Sequence, residues 1–236
     1  MESEIGRRDM MKAAGLAAAA AMAGAATGAQ AQTTQGKAAV YEIRPLPFDP
    51  KSIKGLSEKI LVSHHDNNYA GAVRRLNAIG AQFAALDVAT APVFVINGLK
   101  REELIAMNSM ILHELYFDGL GAGGAPGGPL AQALARDFGS VERWRAEFVA
   151  MGKAEGGGSG WVLLTWSPRD KRLVNQWAAD HTHGVAGGRP ILALDMYEHA
   201  YHMDYGAGAA GYVDAYMQAI NWNNASALFD RYSRQA

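Results

Sequence analysis

Asp195 and His199 stand four residues apart in Asp195-Met196-Tyr197-Glu198-His199-Ala200-Tyr201, directly after the apolar run Pro190-Ile191-Leu192-Ala193-Leu194. A carboxylate and an imidazole delivered to one spot at that spacing can share a metal ion, whether or not the turn between them is helical. The same Asp, where a buried strand gives way to a helix, can instead serve as an N-cap. The rest of the histidine supply favours the metal. Six of the seven histidines fall into three groups: His64 with His65, His113, and His181, His183 and His199. The chain has no cysteine, so thiolates are excluded as ligands. Three imidazoles with one carboxylate make an N3O donor set that suits iron, manganese or zinc and leaves a position for solvent. Hydrolysis at zinc is disfavoured, because no HExxH or comparable general base lies beside these residues.

The elements that must position these groups follow from periodicity. Residues 56–86 read as a helix capped by Ser57, with His64 on the stripe formed by Ile60, Ala72, Leu76, Ile79 and Phe83. A lone histidine on such a stripe is commonly a hydrogen-bonded core residue; His65 lies on the neighbouring face. After a break at 87–98, residues 100–120 read as a second helix, apolar on most sides and therefore buried, with His113 at its middle. The two form an antiparallel hairpin. The glycine run at 119–129 is a linker, since no GK[ST] follows it. Beyond it come helices at 130–138 and 141–152, the second capped by Ser140. Two strands (161–166 and 173–177) pair around the turn at 168–171, and 190–194 supplies a third. One helix starts near Tyr197, and another spans 211–234.

Composition is ordinary for a globular chain: 236 residues, 49% hydrophobic and 19% charged, long enough to bury a core. A net charge of −1 gives no basic excess for nucleic acid and no bias toward a membrane surface. Arg7 and Arg8 precede the alanine-rich run 13–26 and the small-x-small pattern Ala29-Gln30-Ala31. Residues 1–31 thus resemble a twin-arginine export signal, which implies a periplasmic or other extracytoplasmic destination. An extended arm, Tyr41 to Phe48, leads into the fold.

From Tyr41 to Tyr232 the chain resembles the iron/manganese superoxide dismutases. The resemblance is carried by His64-His65 opening a run that ends Leu76-Asn77, and by His113 followed by Tyr116 and Phe117. Asp137-Phe138-Gly139-Ser140, Gly158-Ser159-Gly160-Trp161, Asp195-Met196-Tyr197-Glu198-His199-Ala200-Tyr201 and Asn221-Trp222 complete it. It implies an α+β fold: an N-terminal antiparallel helical hairpin (38–121) and a C-terminal domain (129–236) with a three-stranded antiparallel sheet and surrounding helices. It further implies one iron or manganese ion per subunit, held by His64, His113, Asp195 and His199, that disproportionates superoxide to O2 and hydrogen peroxide. A homodimer is implied too, with Glu198 reaching the partner's His199.

In that family a Gln or a His stands near the bound solvent. Ser109 occupies a position where the Gln can stand and is too short, so the resemblance assigns the role to His181, with His183 the alternative. Asn68 and Ala72 replace a His and a Tyr, each expected to face the metal at helical spacing from His64. Tyr197 replaces a Trp, and His202 a Tyr. Tyr69 and His202 are expected to restore part of the proton relay. The alternative function is an exported iron- or manganese-binding protein of the same fold with little dismutase activity.

Overall fold

A computed structural model describes residues 38–235; the export signal expected over 1–31 lies outside them. Ser57 caps the first helix as expected, its hydroxyl accepting the Ile60 N–H at 3.1 Å while its own N–H and hydroxyl donate to Asp204 at 2.7 Å. The helix is not uniform. It comprises α1 (Glu58–Ser63), a π-helical stretch (His64–Tyr69) and α2 (Ala70–Ala85), the Ala70 N–H reaching back to the His65 carbonyl. The wider π turn breaks the α-helical phase by which His64, Asn68 and Ala72 were expected to share a face. Tyr69, five residues on from His64, is buried, as is Ala72, while Asn68 is half-buried.

Helix α3 (Val93–Asp118) begins at Val93 rather than at residue 100, directly after Pro92, whose missing N–H suits a helix start. Its expected burial on most sides fails at Leu104 and Ile111, which are 46% and 47% exposed. The glycine run does not divide the fold into separate bodies, because Gly36–Ala236 forms one compact unit. The joint is pinned: Gly121 N–H donates to Ala219 and Asn221 N–H to Gly119, each at 2.7 Å, around the bridge Leu120–Ile220. At Gly123 the backbone is left-handed (φ 79°) and a Cβ would lie 2.0 Å from the Gln218 carbonyl oxygen, so only glycine fits.

Helices α4 (Gly128–Phe138) and α5 (Val141–Ala154) follow, the second capped by the Ser140 hydroxyl. The sheet has order β2-β1-β3, both pairings antiparallel: β1 (Trp161–Ser167), β2 (Arg172–Ala178) and β3 (Arg189–Asp195). Central β1 is buried along its whole length. Its register with β3 shifts between Leu164 and Thr165, next to Pro190, which cannot donate to the ladder. The partner of Trp161 is Asp195, so the sheet delivers both to one end.

The helix expected from Tyr197 is a short 3-10 turn (Glu198–Ala200) followed by α6 (His202–Tyr205). The helix expected over 211–234 is two, α7 (Ala209–Gln218) and α8 (Trp222–Arg234). It breaks where residues 219–221 pair with 119–121, and Asn221 then caps α8.

Candidate metal centre

His64 opens the π-helical stretch, His113 lies in the sixth turn of α3, Asp195 ends β3 and His199 sits in the 3-10 turn. Their four candidate donor atoms lie within 4.8 Å of one another. Three imidazole Nε2 atoms converge on a single oxygen, Asp195 Oδ2: His64 at 3.1 Å, His199 at 3.2 Å and His113 at 3.6 Å. The other carboxylate oxygen accepts the Tyr197 N–H at 2.9 Å, an N-cap-like bond that fixes the group with Oδ2 toward the histidines. The capping and metal roles of Asp195 are thus divided between its two oxygens.

His113 gives the sharpest test of fit. Its Nδ1 donates to the Ser109 backbone carbonyl at 2.6 Å, which puts the ring proton there and leaves a bare lone pair on Nε2. That buried Nε2 has no hydrogen-bond partner. An imidazole oriented from behind, with its free nitrogen aimed at two other imidazoles and a carboxylate, is the arrangement a metal ligand needs. The residues fit an N3O-bound ion.

Electrostatics agree. Burial, and then the neighbouring His64, push the His113 imidazolium down to about 3, so the ring is neutral near neutral pH. His64 is also lowered by burial, against the pull of Asp195. Burial alone would raise the Asp195 carboxyl, but His199 and His64 outweigh it and hold it below the usual carboxylate range. His64, His113 and Asp195 are therefore ready to coordinate without first losing a proton.

Aromatic side chains enclose the cluster. Tyr116 and Phe117 lie 5.0 and 5.2 Å from the His64 ring, Trp161 lies 5.3 Å from His113, and Tyr197 stacks on His199 at 5.3 Å. His181 stacks on Tyr197 at 4.8 Å, and its Nδ1 accepts the Trp161 indole N–H at 3.0 Å. The alternative, His183, is half-exposed and stacks on Trp177 instead.

The structure does not bring Tyr69 or His202 to the cluster. The Tyr69 hydroxyl turns to the N-terminal arm, accepting the Arg44 N–H and donating to Glu114, each at 2.9 Å. His202 is exposed at the start of α6 and has no side-chain hydrogen bond or ring contact among the described residues. Sequence reasoning missed the Trp161–His181 bond and the role of Ser109, whose carbonyl and hydroxyl lie 2.6 and 3.3 Å from His113 Nδ1.

Residues 126–228 match the family described as iron/manganese superoxide dismutases, C-terminal domain. An iron superoxide dismutase of Cupriavidus metallidurans is 70% identical over 190 residues, 80% of this chain and 96% of the relative. The chain belongs to the iron/manganese superoxide dismutases. More distant dismutases match over similar lengths. A manganese superoxide dismutase of Halobacterium salinarum is 34% identical over 81% of this chain and 96% of its own. An iron superoxide dismutase of Methanothermobacter thermautotrophicus is 31% identical over 80% and 95%. For a dismutase the geometry is asymmetric: His64, His113 and Asp195 are closed off, while the His199 side chain keeps 25% of its surface exposed.

Proposed function

We propose that the chain disproportionates superoxide to O2 and hydrogen peroxide at one iron or manganese ion per subunit, held by His64, His113, Asp195 and His199. The observation that carries this is the convergence of three imidazole nitrogens on Asp195 Oδ2, with the His113 Nε2 lone pair buried and without a hydrogen-bond partner. The 70% identity to a relative named as an iron enzyme supports iron over manganese. Bound there, the ion supplies alternation between the +2 and +3 states, by which one superoxide is oxidised and the next reduced.

The protein's own groups orient and protonate. Ser109 O and Tyr197 N–H orient His113 and Asp195 from behind, so that these two ligands are held in place. Because the Trp161 indole N–H occupies His181 Nδ1, the neutral ring carries its proton on Nε2 and acts as a donor of fixed direction. Burial lowers the affinity of His181 for a second proton and pushes the Tyr197 hydroxyl up to about 12, so both stay neutral. His181 is the group we assign to proton delivery; Tyr69 serves to anchor the arm, and His202 lies outside the path.

Glu198 is exposed and has no side-chain hydrogen bond among the described residues, which supports a homodimer in which it bridges to the partner's His199. Export by the residues 1–31 signal is supported by the paired arginines ahead of an alanine-rich run. No described helix is long and apolar enough to cross a membrane.

A second reading, a metal-binding member with little turnover, is favoured by Ala72 and Asn68 and by the turned-away Tyr69 hydroxyl, which leave few protic groups beside His64. Superoxide consumption by protein with a full complement of iron or manganese decides between them. Turnover well above that of the metal-free chain supports the dismutase; full metal content without it supports the binder.

A further inference from the structure

Glu155 follows α5 as its C-cap and begins the glycine-rich turn that leads into β1. Its residue surface is 9% exposed, and neither carboxyl oxygen has a hydrogen-bond partner. The group is wedged against Gly160: a Cβ there would lie 2.7 Å from Glu155 Oε2 and 2.5 Å from the Ala178 carbonyl oxygen. The Gly160 carbonyl in turn accepts the Met196 N–H at 2.9 Å, and the next residue, Trp161, is the strand partner of Asp195. The Gly160–Trp161 backbone thus links this carboxyl group to the metal-facing carboxylate.

An ionised carboxylate without donors in such a place is expensive, and its surroundings offer no compensation. On α5 itself, Lys153 turns outward to Asp214 at 3.0 Å. The end of β2 presents the Ala178 carbonyl, and the α7 side presents the Ala209 methyl against Gly156. The Gly157 N–H is spent on the Tyr201 hydroxyl at 3.2 Å. From β3 comes only the charge of Asp195, which opposes ionisation. Burial first, and Asp195 second, push the Glu155 carboxyl up to about 8.

We propose that Glu155 is a redox-linked positioning residue: a carboxyl group behind Asp195 that rests chiefly as the neutral acid, and whose remaining carboxylate share takes up protons when the metal centre gains an electron and releases them when that electron leaves. In the first half-reaction superoxide gives up one electron and departs as O2, and Glu155 takes from solvent at most the share of a proton that matches its carboxylate fraction. In the second, the electron reduces another superoxide, which takes two protons from solvent and leaves as hydrogen peroxide, while Glu155 returns to solvent the share of a proton it had gained. The coupling is Coulombic and reciprocal. Added negative charge at the centre raises the proton affinity of Glu155, and a neutral Glu155 eases the entry of the electron.

The test is the midpoint potential of the iron-loaded protein from about pH 6 to about pH 10, compared with Glu155→Gln, a neutral isostere. The two curves coincide near pH 6, and above about pH 8 the parent falls below the variant as its carboxylate forms. Identical curves across the whole range overturn the proposal; so does an offset already present at pH 6, which means an ionised Glu155.

A second arm needs neither the variant nor dismutase activity. In metal-free parent protein with 13C-labelled glutamate, the infrared carbonyl band of a protonated carboxylic acid is present at neutral pH and fades as pH rises through about 8. Its absence at neutral pH overturns the proposal. The proposal rests on the dismutase reading only for its redox half, so a protein that fails to dismutate but shows this band separates the two failures.

Discussion

Replacing His113 by Leu separates a metal ligand from an ordinary core histidine, because the two predict opposite changes in the metal-free protein. The His113 Nε2 is buried without a partner, and an orphaned buried polar atom costs about 1–3 kcal/mol. Leu removes it while keeping an apolar side chain in an aromatic-lined space. The Nδ1 bond to the Ser109 carbonyl goes with it, a loss of about 0.5–1.5 kcal/mol, so at pH 7 the metal-free variant is more stable than the parent by about 1 kcal/mol.

The pH dependence adds a second signature. The folded-state value of His113, about 3, lies below the 6.5 of the free side chain, so the unfolded chain takes the proton first as pH falls. Stability is fully present above 6.5, declines toward 3 and levels off below it. Between pH 7 and pH 5 this single proton removes about 2 kcal/mol from the parent, a loss His113→Leu escapes. Urea unfolding of both metal-free proteins at the two pH values measures all four quantities. A variant that is less stable at pH 7 and keeps the parent's acid sensitivity refutes the reasoning, since His113 would then be a satisfied core residue.

Trp161→Phe frees the His181 tautomer, so the pH profile of superoxide consumption shifts while metal content stays at the parent's level; an unchanged profile removes His181 from proton delivery. Gly160→Ala sets a methyl group 2.5 Å from the Ala178 carbonyl oxygen on a backbone at φ 148°. It should lower stability by about 1–3 kcal/mol from backbone strain alone, with the clash adding to it, and an unaltered melting temperature contradicts that geometry. His202→Ala leaves both turnover and its pH dependence at parental values; a marked loss of turnover restores His202 to the relay.

Asp195 and His199, four apart after an apolar strand, were legible as a pair by type and spacing, whereas His64 and His113 read locally as buried helix histidines and were joined to that pair only by the resemblance to the dismutases. The strands were legible because turn residues bound short apolar runs. What escaped was set by contacts distant in the chain. Trp161 and His181 are twenty residues apart and meet because the Trp161–Asp195 rung puts the indole at the metal end of the sheet. The break between α7 and α8 is decided by pairing with residues about a hundred positions earlier, while the local pattern runs on as one helix. The π-helical turn is six residues long, too few to show a period, yet it shifts Asn68 and Tyr69 relative to His64. Glu155 sits beside a glycine-rich stretch that reads as loop, and nothing local marks it as buried.

Anomalous diffraction from crystals of the protein purified from its native host, collected at the iron and manganese absorption edges, tests the central claim most directly. The account predicts a single peak per chain at one of those edges, within coordination distance of His64, His113, Asp195 and His199. A peak placed elsewhere, or a metal at that position visible at neither edge, contradicts it.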